Sequence, residues 1–169
     1  KKILPNKNVM NEDDLVYGIK SSGFHSNGYS LIRKILKDEN IDLNKKTEFK
    51  SSYETNAAAL MAPTTLYFPF LKKILKTNLV NGISHITGGG VIGNVPRMLS
   101  ENLSVWIDKK FICNEEIFQW FQSLAKISDE EMLKTFNCGL GLVLTISKKN
   151  YNKFEQIIKD ESLDIFEIG

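Results

Sequence analysis

A nearly continuous apolar run from Leu140 to Ile146 limits what this chain can fold into more than any other feature. A strand with one face in water alternates apolar and polar residues, and this run does not. It reads as a central strand covered on both faces, so the rest of the chain must supply the cover. With 169 residues, 42% of them hydrophobic, the chain is long enough for one domain, residues 1–169, with a real core and no need of disulfide or metal staples.

The covering elements show in the spacing. Leu31, Ile32, Ile35 and Leu36 recur at helical intervals and predict a helix over about 27–37. Leu66, Tyr67, Phe70, Leu71, Ile74 and Leu75 form an amphipathic stripe with lysines opposite, and Pro69 falls early enough to be tolerated. Ile117, Phe118, Trp120, Phe121 and Leu124 make another stripe, with Asn114 as its cap. Ser128 and Glu131 form a capping box ahead of Met132, Leu133 and Phe136. A short helix over 95–99, with Asn94 as N-cap and Pro96 in its first turn, and a helix over 150–159 complete the set. Short strands are expected at 15–19, 82–87 and 105–107 and near Ile165, and the polar stretch 38–55 reads as a long connection. Strands and helices mix without strict alternation, which predicts an α+β fold: a mixed β-sheet with helices packed on it.

The formal net charge of +2 argues for neither a nucleic-acid nor a membrane partner. No apolar run approaches a membrane span and no signal-peptide pattern opens the chain, so the cytoplasm is expected. The two cysteines, Cys113 and Cys138, are far apart and have no CxxC spacing, which supports neither a zinc site nor a redox pair; no metal site is expected. The chain opens on Lys1 and Lys2 in polar sequence, as a piece of something longer would.

Two strand-to-helix junctions carry the histidines. The first is Ser22-Gly23-Phe24-His25-Ser26-Asn27-Gly28, and the second runs from His85 through Thr87-Gly88-Gly89-Gly90 to Asn94 and Arg97. Each joins glycines, which permit close backbone approach, to a helix N-terminus whose free N–H groups favour an anion. A tight turn before a capped helix has the same appearance, and the glycine triplet lacks the Lys-Ser/Thr ending of a P-loop. His25, flanked by loop residues, is the better functional candidate; His85 reads as core or supporting. A third element, Asn137-Cys138-Gly139-Leu140-Gly141, places alternate glycines at the start of the buried strand, marking either a bulge or a bare patch for a ligand.

Together these elements resemble the C-terminal domain of the phosphoribosylformylglycinamidine cyclo-ligases, also called aminoimidazole ribonucleotide synthetases. The residues that carry the resemblance are Ser22 to Leu31, Ala59 to Thr64, His85 to Gly90 with Asn94, Pro96 and Arg97, and Glu130 to Gly141. It extends from about Leu4 to Gly169. Cys138, where Met is expected, and the Asn- and Lys-rich stretch around 42–52 depart from the pattern.

The resemblance implies ATP-dependent closure of formylglycinamidine ribonucleotide to aminoimidazole ribonucleotide in purine biosynthesis. ATP activates the formyl oxygen as an iminophosphate, a neighbouring nitrogen closes the ring, and ADP and phosphate leave. It further implies a cleft shared with an N-terminal domain that holds most of the ATP and Mg2+ contacts, and a homodimer. On this reading His25 polarises or protonates near the formyl oxygen. Ser22, Gly23, Ser26 and Asn27 line the cleft, and Thr87, Gly88, Gly89, Gly90, Asn94 and Arg97 hold a phosphate. Asn137, Gly139 and Gly141 complete the wall. The chain alone is expected to fold but not to turn over. Two alternatives stay open: another ATP-dependent synthetase or kinase of the superfamily, such as phosphoribosylformylglycinamidine synthase, and a non-catalytic ligand-binding module.

Overall fold

The structure, a computed structural model, describes residues 3–169. The run that opened the argument forms the central strand: β3, Leu140–Ile146, is buried at every position. It pairs on one side with β1, Leu15–Lys20, and on the other with β2, Val80–His85, while β4, Ile165–Glu167, adds to the outer edge of β1. All pairings are antiparallel, with Gly18 opposite Val143 and Ile83 opposite Leu144. The α+β class therefore holds, but the strands do not run in mixed directions. Sequence spacing shows which residues pair with a core; it does not set strand direction.

Among the described residues, seven α-helices cover this sheet: α1 Tyr29–Asp38, α2 Asn56–Leu60, α3 Phe68–Ile74, α4 Gly90–Asn94, α5 Glu116–Ala125, α6 Asp129–Thr135 and α7 Tyr151–Ile158. The alternation of side chains along the strands divides the core in two. Val16 and Val143 point into a cluster with Ile32, Val91, Phe118, Phe121 and Met132, so that α1, α4, α5 and α6 lie on one face. Tyr17, Ile19, Leu142, Leu144 and Ile146 point into the other, against Phe70 and Ile74 of α3 and Phe154 of α7.

Several local expectations are met. Ser128 caps α6, its side chain accepting from the Glu131 N–H, and Pro69 sits in the first turn of α3. Others are corrected. Residues 105–107 form no strand; they lie beside the C-terminus, and Asp108 N–H donates to the Ile168 carbonyl at 2.8 Å. Glu115, not Asn114, precedes α5. The stretch between Asp38 and Thr55 is a connection, as expected, and Phe49 within it lays its ring 4.9 Å from Trp120. Helix α4 begins earlier than expected, and Val95–Met98 follows as a 3-10 turn.

Candidate functional site

The first loop leaves β1 at Lys20 and is fixed from behind by the third sequence element. Asn137 is fully buried; its Nδ2 donates to the Gly23 carbonyl at 2.8 Å. Its Oδ1 accepts from Ser21 Oγ at 3.0 Å and from the Gly139 N–H at 2.9 Å. Ser21 N–H donates to the Gly139 carbonyl at 2.9 Å. Phe24 is the second anchor, with its ring 4.7, 5.4 and 5.0 Å from those of Phe118, Phe121 and Phe136. Such edge-on aromatic packing holds a side chain in one orientation. The next residue in the chain, His25, is therefore carried on a rigid base although it belongs to a loop.

His25 is 7% exposed and has a left-handed φ of 57°. Its Nε2 accepts the Ser22 N–H at 3.2 Å, so a neutral ring carries its proton on Nδ1. That Nδ1 is buried and has no partner in the protein. Burial, with a smaller contribution from the nearby His85, lowers the pKa to about 4. At neutral pH the ring is uncharged and presents an unused N–H donor. Tyr67 stands between the two histidines, 6.1 Å from His25 and 6.0 Å from His85 by ring centroids, and its hydroxyl donates to the Lys20 carbonyl at 3.0 Å. His85 itself is exposed at the end of β2, not part of the core.

In front of His25 lies a cavity of about 420 Å³ lined by His25, Ser26, Tyr29, Arg33, Met61 and Thr64, among others. Ser22 Oγ donates to the Pro63 carbonyl at 2.6 Å, and the Tyr29 hydroxyl donates to the Leu60 carbonyl, so the segment after α2 is tied to the first loop. Sequence reasoning passed over Arg33 and Thr64. A signal for Arg33 was present: it lies four residues after Tyr29, one turn along the same helix face.

The second loop meets the first at Asn27, whose Oδ1 lies 3.9 Å from where a Cβ on Gly88 would stand. Gly88 and Gly89 are exposed there, whereas Gly90 is buried. Asn94 holds the N-cap position of the 3-10 turn, but its side chain makes no capping bond; its buried Nδ2 reaches back to the carbonyls of Gly90, Gly88 and Thr87 at 2.7, 3.1 and 3.2 Å and ties the loop together. Arg97 donates to Asn94 Oδ1 at 3.4 Å. A guanidinium nitrogen lies 4.0 Å from the position a Gly89 Cβ would take.

The structure thus brings Ser22, Ser26, Asn27, Gly88, Gly89 and Arg97 to one end of the sheet around His25. Asn137, Gly139, Gly90 and Gly141 are buried behind that surface. A Cβ on Gly141 would stand 1.7 Å from the Tyr67 hydroxyl oxygen. One on Gly90 would stand 2.1 Å from the Leu133 carbonyl oxygen. Their bareness is used by neighbouring protein atoms. Among the described residues no group of three His, Cys, Asp or Glu could hold a metal, and no helix is long and apolar enough to cross a membrane.

An antiparallel sheet between two helical layers, with two glycine-bearing loops meeting at one end beside a buried neutral histidine, defines an α+β domain. Residues 11–169 match the family model "AIR synthase related protein, C-terminal domain", and the chain belongs to that family. It is 40% identical over 159 residues to a phosphoribosylformylglycinamidine cyclo-ligase of Ligilactobacillus salivarius, covering 94% of this chain and 46% of that protein. To the enzyme of the same name from Neisseria meningitidis it is 38% identical, covering 92% of this chain and 44% of the relative. To the human trifunctional purine biosynthetic protein adenosine-3 it is 40% identical, covering 93% of this chain and 15% of that protein. The chain thus spans a little under half the length of the bacterial relatives.

Proposed function

We propose that this chain forms the C-terminal wall of the active-site cleft of an ATP-dependent cyclo-ligase, which closes formylglycinamidine ribonucleotide to aminoimidazole ribonucleotide. The observation that carries the reading is His25, which lines a cavity of this domain and whose buried, neutral ring has an Nδ1–H with no partner in the protein. A neutral imidazole at this site acts as a hydrogen-bond donor, not as an acid. It donates to the formyl oxygen as that oxygen takes the phosphoryl group from ATP, and steadies the negative charge that returns to it as the nitrogen closes on the formyl carbon and the C–O bond breaks. Phosphate transferred from ATP to that oxygen leaves as inorganic phosphate when the ring closes.

The chain's other residues bind and orient. Gly88 and Gly89, exposed beside Arg97, receive a phosphate group of a substrate, with the guanidinium neutralising it. Arg33, with Ser26 and Thr64, provides a second anion contact on the other side of His25. Asn137 and Gly141 act through the loop and Tyr67 without touching ligand. The donors for a magnesium ion are not gathered among the described residues, and no step here runs through one. Met61, Leu66 and Phe68, each at least 66% exposed, supply apolar surface for the N-terminal domain or a second copy of the protein. The cytoplasm and a homodimer complete the proposal.

The test is ring closure by the whole protein supplied with ATP and formylglycinamidine ribonucleotide, beside this chain alone. Product from the whole protein and none from the chain is expected. His25→Asn in the whole protein is expected to cut kcat by roughly 10²–10³-fold, the usual loss for one donor at a developing negative charge. Normal turnover in that variant would remove His25 from the mechanism. Absence of product from a well-folded whole protein would sink the cyclo-ligase reading.

A further inference from the structure

Cys113 and Cys138 are distant in sequence and adjacent in the fold. The Cys113 N–H donates to the Cys138 carbonyl at 2.8 Å. That bond holds the two Cα atoms at most about 6.7 Å apart by standard bond lengths, inside the roughly 4.4–6.8 Å that disulfides span. Both residues have left-handed φ angles, 53° and 51°, at turns on either side of the bond. Each thiol lies near enough to shift the other's ionisation. Cys138 is buried in the core, and Cys113 packs against that same cluster but is only half-buried, the more accessible residue of the pair.

We propose that Cys113 and Cys138 form a redox-active dithiol which closes to an intramolecular disulfide by exchange with a low-molecular-weight disulfide such as oxidised glutathione. The half-exposed Cys113 attacks first. Its thiolate forms a bond to one glutathione sulfur, the glutathione S–S bond breaks, and one glutathione leaves as thiolate. Cys138 then gives up its proton and attacks Cys113 Sγ; the bond from Cys113 to glutathione breaks and the second glutathione leaves. Two protein thiols are oxidised, one glutathione disulfide is reduced to two thiols, and the two protons pass to the departing thiolates.

The order of attack follows from the surroundings. The contact with the Cys138 thiol lowers the Cys113 pKa, which favours its thiolate. The neighbouring Cys113 thiol, and then burial, push the Cys138 thiol up, so it reacts only with a sulfur already delivered beside it. Lys109 and Asp129 lie near Cys113, but they pair with each other at 2.6 Å and their opposed charges largely cancel there. The new bond would fasten the turn containing Asn137 and Gly139, which fixes the first loop, to the segment leading into α5. This inference does not depend on the proposed reaction.

The experiment incubates the reduced chain with oxidised glutathione under native conditions, blocks remaining thiols with an alkylating agent, and reads intact mass and peptide fragments. The wild type is expected to lose the mass of two hydrogens, to carry no glutathione, and to yield a peptide linking Cys113 to Cys138 that dithiothreitol releases. Cys138→Ser is expected to stop with glutathione on Cys113, and Cys113→Ser to stay unmodified while folded by circular dichroism. Cys138→Ala serves in place of Cys138→Ser if the serine variant fails that folding check. A stable glutathione adduct on the wild type, a disulfide between two chains, or a wild type that stays fully reduced would each overturn the proposal.

Discussion

At His25 the backbone occupies the left-handed region, at φ 57°, where a non-glycine residue costs about 1 kcal/mol or more. Phe24 in the aromatic cluster and Asn137 behind Gly23 hold it there, and the result is a buried ring with one unused donor. This arrangement has a consequence in acid. The unfolded chain takes up a proton on this residue as pH falls below about 6.5, whereas the folded chain does so only near 4. In that window the unfolded state binds more protons, so stability falls as pH drops, by up to about 3 kcal/mol once both states are protonated. His25→Asn, a residue type that tolerates a left-handed φ, is expected to flatten that part of the pH profile and leave the profile's slope unchanged above about pH 7.5. Urea unfolding across the acid range measures it. Gly141 shows a tighter constraint. Gly141→Ala drives a methyl into the Tyr67 hydroxyl and is expected to cost about 1–3 kcal/mol. Adding Tyr67→Phe is expected to cost less than the sum of the single changes, because the two sites contact each other.

Among the elements, α4 rests on α6 at Gly90, where φ is 60° and the Leu133 carbonyl leaves no room for a side chain. Gly90→Ala is expected to lose about 3 kcal/mol by strain and by lifting α4. Gly88→Ala, two residues earlier in open space, is expected to stay within about 0.5 kcal/mol of wild type. If Gly88 contacts phosphate as proposed, that variant weakens substrate binding in the whole protein while its thermal unfolding stays unchanged. The contrast shows what the sequence could convey. The β3 run, the α5 stripe and the Ser128 cap of α6 were legible because each depends on neighbours within a few residues. The glycine triplet was ambiguous because the reason for Gly90 lies more than forty residues away at Leu133. Residues 105–107 have the composition of a strand, yet pairing needs a free edge at the right place, and a short side-by-side run with the C-terminus is all they find. His25 was legible as a candidate. Its protonation state, and the meeting of Asn27 with Gly88, arise only once β1 and β2 are both set against β3.

For the molecule as a whole, β3 is the common wall of two cores. Val143 belongs to the cluster under α1, α4, α5 and α6, and Leu144, the next residue, to the cluster under α3 and α7. Strand β1 repeats the division at Val16 and Tyr17. Neither layer can lose its packing without disturbing strands on which the other depends, so the chain is expected to unfold in one cooperative step. The fluorophores allow a direct check. Trp120 packs against the first cluster and Trp106 is 72% exposed, so a change in tryptophan fluorescence reports mainly the first core. Leu144→Ala removes apolar contacts only from the second core, at a cost of about 2–5 kcal/mol. In urea, tryptophan fluorescence and far-ultraviolet circular dichroism are expected to give coincident transitions, both shifted to lower denaturant by the same amount. A fluorescence transition that stays at the wild-type midpoint while circular dichroism shifts would show the two layers melting separately. The loops at the end of the sheet would then rest on the first layer alone, since Phe24 and Asn137 anchor them there.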